Sequence, residues 1–468
     1  MSRLTPLILA IALFMEMMDS TVIATSLPVI ASDIGTQPIA LKLALTTYLV
    51  ALAIFIPISG WMADRFGARN VFRTAIAVFV LGSIACALSD SLLTFVLSRF
   101  LQGMGGSMMA PLARLILVRS TPKNELVNAW AWLTIPALIG PVCGPLIGGF
   151  LTTYLSWHWI FFINVPIGLG GILLATRFLP RVGYRDRRSL DVTGFLLSGI
   201  GLSGVVFGLS VMSLPALPPV LGAVILAAGV VSSLGYYFHA KRAAAPLLDL
   251  GLFREPVYRT AIIGGSIFRL GIGAMPFLMP LMLQISFGLS PFQSGLVTFV
   301  GAMGAIALKL VAQRLYAALG FRTTLIAGSV LSAATIAVNG LFTPETPLVL
   351  IAFFLFVGGL LRSAFFTGLN VLSFSEISEE ATSHATAISS VAQQISVALG
   401  VALAGGLLEV TTRIGGHELG LADFHFAFLA VALVALSATA SFLTLDPGAG
   451  SESSGHRRRP AEAGAMGK

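Results

Sequence analysis

Apolar residues run through this chain in long blocks separated by short polar segments. Each block is close to the length that crosses a bilayer. A hydrocarbon core about 30 Å thick needs roughly 20 apolar residues of helix, and lipid tolerates only helices or closed barrels because every backbone polar group must be satisfied internally. Read this way, the pattern predicts fourteen helices, near 6–27, 40–63, 71–89, 93–118, 126–150, 157–179, 193–212, 217–238, 257–283, 292–313, 322–341, 346–371, 384–409 and 423–445. The shallowest breaks fall at 89–92 and at 373–383, a loop with Glu376, Glu379 and Glu380 and no base. The expected fold class is therefore an all-α polytopic membrane protein.

Charge then orders the blocks. One set of alternate loops holds Arg3; Arg65, Arg69 and Arg73; Arg119 and Lys123; Arg177, Arg181, Arg185, Arg187 and Arg188; Lys241, Arg242, Arg254 and Arg259; Arg314 and Arg322; and Arg457, Arg458, Arg459 and Lys468. The opposite set holds only Arg413. Lys and Arg favour the cytoplasmic side, so both termini are expected there, which requires an even number of spans. Twelve would also be even. The count of fourteen rests on the runs at 193–212 and 217–238, which contain no Asp, Glu, Lys, Arg or His. They read as a structural pair between two six-helix halves. The expected division is 1–179 for the first bundle, 180–256 for a basic loop, the extra pair and a second loop, 257–446 for the second bundle, and 447–468 for a disordered tail rich in Gly, Ser, Ala and Arg. A faint internal repeat supports two halves: Ala63-Asp64-Arg65-Phe66-Gly67-Ala68-Arg69 is echoed by Ala318-Leu319-Gly320-Phe321-Arg322.

Composition agrees. Hydrophobic residues make up 56% of the chain and Asp, Glu, Lys and Arg only 10%, where soluble domains carry about 25%. The net charge of +8 is thus a topology signal and not a nucleic-acid footprint. Cys86 and Cys143 both lie in apolar runs, so no disulfide framework is implied. No small-residue cleavage site follows a short apolar core at the start, and the first block reads as a retained helix.

The ionisable groups inside the blocks matter most. They are Glu16, Asp19, Lys42, Arg99, Arg114, Arg269, Lys309 and Arg362. Each costs roughly 2.5–3.5 kcal/mol on insertion scales and usually marks an ion or substrate path. Glu16 and Asp19 stand three apart and share a helix face. Two carboxylates in a low-dielectric cleft resist being ionised together, so one of them is expected to handle a proton. Arg99 lies too deep to reach water easily, and Asp19 is its expected partner. Asp19 is then either a proton carrier or a fixed ion-pair partner, with Glu16 the easier acceptor. Neutralising either acid is expected to leave folding intact, since it removes a charge that is costly to bury. Glu16 and Asp19 are the only acids expected at depth. Arg269 and Arg362 have no acidic partner in the later spans, which favours an anionic substrate or an anionic group on one. Lys42 and Lys309 lie near helix ends, where snorkelling explains them. His158, between Trp157 and Trp159, reads as interfacial anchoring.

Three segments carry structural motifs. In Gly140-Pro141-Val142-Cys143-Gly144-Pro145-Leu146-Ile147-Gly148-Gly149, the glycines at 140, 144 and 148 form one bare stripe that lets a neighbouring helix approach, and Pro141 and Pro145 invite a bend. The stripe reads as tight packing, as a seal between the two faces, or as both. In Gly60-Trp61-Met62-Ala63-Asp64-Arg65-Phe66-Gly67-Ala68-Arg69, Asp64 and Arg65 read as a positive-inside anchor or as part of a conformational latch, and Arg114 is the expected partner of Asp64. Arg99-Phe100-Leu101-Gln102-Gly103-Met104-Gly105-Gly106 carries Arg99, and its glycines read as helix packing.

These three segments resemble signature motifs of the major facilitator superfamily. Asp19-Ser20-Thr21-Val22-Ile23-Ala24-Thr25-Ser26-Leu27-Pro28 and Trp157-His158-Trp159-Ile160-Phe161-Phe162-Ile163-Asn164-Val165-Pro166 resemble motifs of its fourteen-span drug:proton antiporter branch. The matches cover the first half in the family's order. Ala24 stands where that branch usually has Asn, and His158 where Arg is common. The resemblance implies a major facilitator fold and a proton-coupled exporter of small molecules in the inner membrane of a bacterium. It works by alternating access as a monomer among lipids, with no nucleic acid. The proton gradient is the driving force, and no cofactor or metal is expected. A nucleotide-driven pump is disfavoured, since no Gly-rich loop ending in Gly-Lys-Ser/Thr occurs. An enzyme is disfavoured by the scattered histidines. A channel fits the buried acids less well than a carrier.

Overall fold

Long helices follow one another from end to end. The computed structural model describes residues 4–121, 126–180, 189–212, 218–243, 246–309, 311–377 and 381–450. The basic stretches at 181–188 and 457–459, Arg3, Lys123, Glu379, Glu380 and the tail beyond 450 lie outside the described residues. The helices are α1 (Leu4–Val22), α2 (Leu27–Asp33), α3 (Lys42–Phe55), α4 (Ser59–Phe66), α5 (Ala68–Ala87), α6 (Leu92–Ser120), α7 (Leu126–Tyr154), α8 (Trp159–Phe162), α9 (Asn164–Phe178), α10 (Val192–Met212) and α11 (Pro219–Ala240). They continue with α12 (Pro256–Gly273), α13 (Met275–Ile285), α14 (Pro291–Lys309), α15 (Ala312–Asn339), α16 (Leu348–Phe374), α17 (Thr382–Gly415), α18 (Leu421–Ser437) and α19 (Thr439–Leu443). No strand occurs among the described residues.

Prolines and caps place the breaks. Pro57 sits in the 3-10 turn Ile56–Ile58 that separates α3 from α4, and Pro276 opens α13 just after α12 ends. The predicted single spans 40–63 and 257–283 are thus each two helices in line. The shallow break at 89–92 is real: Ser91 caps α6, its hydroxyl accepting from the Thr94 N–H while Thr94 returns the bond to the Ser91 N–H. Hydropathy missed α2, a short helix in the expected first outer loop. Pro28 starts it, and Leu27, Ile30 and Ala31 are buried along one side. The Asp33 carboxylate at its end accepts from the Trp157 indole N–H at 2.9 Å. Trp157 is therefore a packed side chain, while Trp159 is exposed.

Twelve helical stretches of the described residues are long and apolar enough to cross a membrane. Two further helices, α6 and α7, are 29 residues each. The helices before residue 180 pack together, α1 on α7 and α9, α5 on α6 and α9, and α3 on α6. Those after residue 255 do likewise, with α12 on α17 and α18, α14 on α16, and α15 on α16 and α18. The two sets meet along α7 with α14 and along α3 with α17. The pair α10 and α11 clasp each other and touch the rest mainly through α10, against α3 and α17. Only 22% of each is buried, against 78% of the stretch Pro38–Phe66, so the pair is peripheral. Small residues hold it together: a Cβ on Gly204 would lie 2.6 Å from the Gly229 Cα.

The faint sequence echo has a geometric counterpart. Gly67 and Gly320 both hold positive φ, 84° and 71°, a conformation that costs glycine little. Two residues on, Arg69 Nη1 donates to the Leu179 carbonyl at 3.0 Å, just past the end of α9. Arg322 Nη2 donates to the Leu443 carbonyl at 3.0 Å, at the end of α19. Each arginine ties an early turn of its set to that set's final helix.

Candidate functional site

Asp19 lies at the centre of a polar knot. Arg99 Nη1 on α6 pairs with its Oδ2 at 2.7 Å, as expected from the sequence. Gln102 Nε2 and Asn164 Nδ2 each donate to its Oδ1 at 2.8 Å. Both amides also reach Ser83 on α5, at 2.7 and 3.2 Å. Gln102 Oε1 accepts a second short bond from Arg99. The guanidinium lies 4.3 Å from the centre of the Tyr48 ring. Asp19 is 0% and Arg99 1% exposed. Gly82 makes this possible, because a Cβ there would sit 2.5 Å from the Gln102 amide nitrogen, so α5 and α6 run nearly in contact. Gln102, Asn164, Ser83 and Tyr48 were not singled out from sequence. Gln102 and Asn164 both stand inside recognised motifs, one turn past Arg99 and two residues before Pro166. This knot weighs against the expectation that Asp19 loses its charge without harm. Its charge compensates a base that cannot reach water, and three donors already fill the carboxylate.

Glu16, one turn earlier on α1, is different. It is buried at 4% exposure, and its Oε2 has no hydrogen-bond partner among the described residues. The same holds for the Tyr48 hydroxyl nearby. Gly106 faces the Glu16 stem, where a Cβ would lie 3.6 Å from the Glu16 Cγ.

Arg114 is exposed, and its expected pairing with Asp64 is corrected. Asp64 instead accepts from Arg119 Nη2 at 3.0 Å, five residues further along α6. Arg65 is exposed, and a Cβ on Gly60 would face open space. The Asp64–Arg119 bridge is part-exposed and adds about 0–1 kcal/mol at most. Its expected effect is on coupling between α4 and α6. In a double-mutant cycle read by transport rate, Asp64→Asn and Arg119→Ala should be non-additive, whereas Asp64→Asn and Arg114→Ala should add. Additivity of the first pair would remove the bridge from the mechanism.

The glycines of the α7 motif have two roles. A Cβ on Gly140 would lie 2.9 Å from the Phe14 carbonyl oxygen, Gly144 faces Thr21, and Gly148 faces the Val22 carbonyl. All three admit α1. Gly149 faces the other set of helices: its Cβ would lie 2.5 Å from the Pro291 carbonyl oxygen and 2.8 Å from the Phe292 Cα on α14. Gly295 on α14 returns the approach against the Pro145 carbonyl. Around this crossing, the Phe292 N–H donates to Thr153 Oγ1 at 3.1 Å, its ring meets Phe150 and Tyr154, and Gln284 Nε2 donates to the Thr25 carbonyl at 2.8 Å. The seam between the two sets is shut at this end.

Past the shut end, a cavity of ≈ 740 Å³ runs between α1 and α7 on one side and α12, α13, α14 and α16 on the other. Its walls are mainly apolar, with Pro145, Met275, Met279, Leu355 and Phe366 among them. Among the described residues, its charged lining residues are Lys309 and Arg362. Arg362 Nε bonds the Gly358 carbonyl of its own helix at 3.1 Å, and Lys309 Nζ donates to Thr367 Oγ1 at 2.6 Å. Arg269 is 8% exposed and stands behind the wall, its guanidinium 4.9 Å from the Phe366 ring centre. Glu16 and Asp19 do not line this cavity.

Two further expectations change. Lys42 is fully buried, not snorkelling. Its stem lies against Gly405 on α17, and Glu409 one turn on is the acid that acts on it. Glu409 is 6% exposed, so it is a third acid at depth. It stands last in its predicted span, where apolar patterning cannot tell a loop acid from a buried one. It also meets Arg413 at 3.6 Å.

A many-helix membrane chain with a central cavity between two packed sets, and buried charges beside it, is a polytopic transporter of small molecules. The chain belongs to the Major Facilitator Superfamily, whose profile matches residues 9–252 and 261–466. It is a secondary transporter and not an enzyme. It is 35% identical over 437 residues to "Probable transport protein HsrA" of Haemophilus influenzae, covering 93% of this chain and 94% of that protein. It is 35% identical over 407 residues to "Putative multidrug resistance protein MdtD" of Yersinia enterocolitica, covering 86% of each. In fold it is similar to the solved structure of a D-xylose-proton symporter, with TM-score 0.68, 14% identity and coverage of 95% and 98%.

Proposed function

We propose that this protein is a proton-coupled exporter of small molecules, of the multidrug type named among its relatives, working by alternating access. Glu16 is the proton carrier. The observation that carries this is the contrast between the two acids of α1: Asp19 is saturated by Arg99, Gln102 and Asn164, while the buried Glu16 Oε2 has no partner among the described residues. A carboxylate engaged by three donors is held in place; one with an unpartnered oxygen is open to proton exchange. Proton uptake by Glu16 from the outside accompanies substrate release outward, and proton loss to the inside resets the site. Asp19 and Arg99 serve as the fixed pivot against which Glu16 titrates.

The positive-inside pattern supports cytoplasmic termini in a bacterial inner membrane, and the shut seam then lies outside. The present state is inward-facing. Counting α6 and α7, long enough at 29 residues each, supports fourteen spans. Two six-helix bundles, at 1–179 and 257–446, flank the peripheral pair within 180–256, and the monomer is the working unit in the lipid. The residues Gly60, Asp64, Arg65, Gly67 and Arg69 form the hinge turn, and Arg119 replaces Arg114 as its ionic partner.

The test uses everted membrane vesicles with an established pH gradient and a panel of lipophilic cations and organic anions. A transported compound should discharge the gradient in the wild type and fail to do so in Glu16→Gln. Unchanged substrate-evoked proton flux in Glu16→Gln would sink the assignment.

A further inference from the structure

The cavity carries a charge imbalance that bears on what it holds. Arg362 and Lys309 project from its wall, and no Asp or Glu among the described residues lines it. Arg362 has one weakly committed nitrogen, bonded to its own helix, and no carboxylate partner among the described residues. Arg362 is half-buried, and Arg269 adds a buried guanidinium behind Phe366, also with no carboxylate partner among the described residues. Of the acids at this depth, Asp19 is engaged on Arg99, Glu409 lies beside Lys42 and Arg413, and Glu16 is not among the residues that line the cavity. The field in the cavity is therefore positive, and in a low-dielectric cleft it falls off slowly. A buried base without compensation is costly, so a ligand that supplies a negative charge gains more here than in water. The remaining surface is apolar and the volume of ≈ 740 Å³ falls among ordinary small-molecule sites.

Resting on the transporter reading above, we propose that the cavity selects an amphipathic organic anion: a carboxylate on an apolar or aromatic body. Arg362 receives the carboxylate, for which a planar guanidinium is suited. Lys309, already held by Thr367, stands further along the wall as the second positive group. Phe366, Met275 and Met279 take the apolar body. Arg269, acting through the face of Phe366, raises the potential without touching the ligand and is a positioning residue. Lipophilic cations are disfavoured by the same field.

Equilibrium binding to the full-length protein in nanodiscs tests this with two probes of one shape, 1-naphthaleneacetate and 2-(1-naphthyl)ethylamine. The carboxylate should bind more tightly. Arg362→Gln should weaken it roughly tenfold to a hundredfold, the range for a lost charge-assisted hydrogen bond, and leave the amine unchanged or improved. Lys309→Gln, nearer the helix end, should give a smaller loss of the same sign. Arg362→Gln should also raise the melting temperature of the ligand-free protein, since it removes an uncompensated base, and should abolish the shift caused by the carboxylate. Preference for the amine, no binding of the carboxylate, or equal loss of both probes in Arg362→Gln overturns the proposal. A fall in ligand-free stability in that variant does so too, because it would mean the arginine is satisfied within the protein. The assay needs no gradient, so it stands apart from Glu16: Glu16→Gln can lose proton flux while the anion preference stays, and the reverse can also occur.

Discussion

Asp19→Asn is expected to destabilise the folded protein by about 3–5 kcal/mol, the typical cost of removing one partner from a buried ion pair. Glu16→Gln, one turn away, is expected to leave stability unchanged or raised. The two substitutions look alike on paper, since each swaps a buried carboxyl for an amide of nearly the same shape. Their surroundings differ. Arg99 is 1% exposed and depends on Asp19 for its charge balance. With Asn at 19, the guanidinium stays buried and positive, and the Gln102 and Asn164 amides face a neutral acceptor that offers one oxygen in place of two. Glu16 leaves no such partner behind, because its Oε2 has none among the described residues. Thermal unfolding of the purified protein separates the cases. The Asp19→Asn protein should melt well below the wild type, and Glu16→Gln at or above it while its coupled transport is lost. Arg99→Gln combined with Asp19→Asn should recover part of the loss, since the double change removes both charges. If Asp19→Asn melts with the wild type, the knot is not what holds these helices together.

Gly149→Leu should hold the outer seam open, and Gly148→Leu should damage the first set of helices without opening anything. The two positions are adjacent on α7 but point to different neighbours. A side chain at 149 meets backbone of α14, with Pro291 and Phe292 in the way, and backbone yields less easily than a flexible side chain. Closing the seam over a leucine would cost on the order of 1–3 kcal/mol or more, enough to shift an equilibrium between two states by a factor of about ten or more. A side chain at 148 meets the Val22 carbonyl on α1, inside the same set. Labelling by a membrane-impermeant maleimide reads the difference, using Gln284→Cys as reporter with Cys86 and Cys143 replaced. Gly149→Leu should raise labelling severalfold while the protein remains folded. Gly148→Leu should lower thermal stability with labelling unchanged, and Gly144→Leu should follow it in lesser degree because it meets the Thr21 side chain first. Equal labelling in Gly149→Leu and wild type would show that this crossing is not the gate. Gly295→Leu approaches the same crossing from α14 and should behave as Gly149→Leu does.

Apolar block length and the alternation of basic loops determined that the chain is a succession of long apolar helices, and set the expected sidedness, without any structure. Both signals are local: a span of roughly 20 residues must be apolar to sit in lipid, and loop charge is counted loop by loop. The Asp19–Arg99 pair was legible for a related reason, since a base and an acid so deep in the bilayer have few alternatives. Much else was decided by helix rotation and depth. The lipid-facing and protein-facing sides of a membrane helix are similarly apolar, so hydropathy carries little rotational information. That is why Gln102 and Asn164 were invisible as ligands of Asp19, why Arg119 and not Arg114 reached Asp64, and why the α7 stripe did not reveal that Gly149 alone crosses to α14. It is also why Glu409 was not counted among the acids at depth and Lys42 read as a snorkelling base until α17 and α3 were laid side by side. Which charges stand together, and which stand alone in the cavity, follows only from how the helices pack.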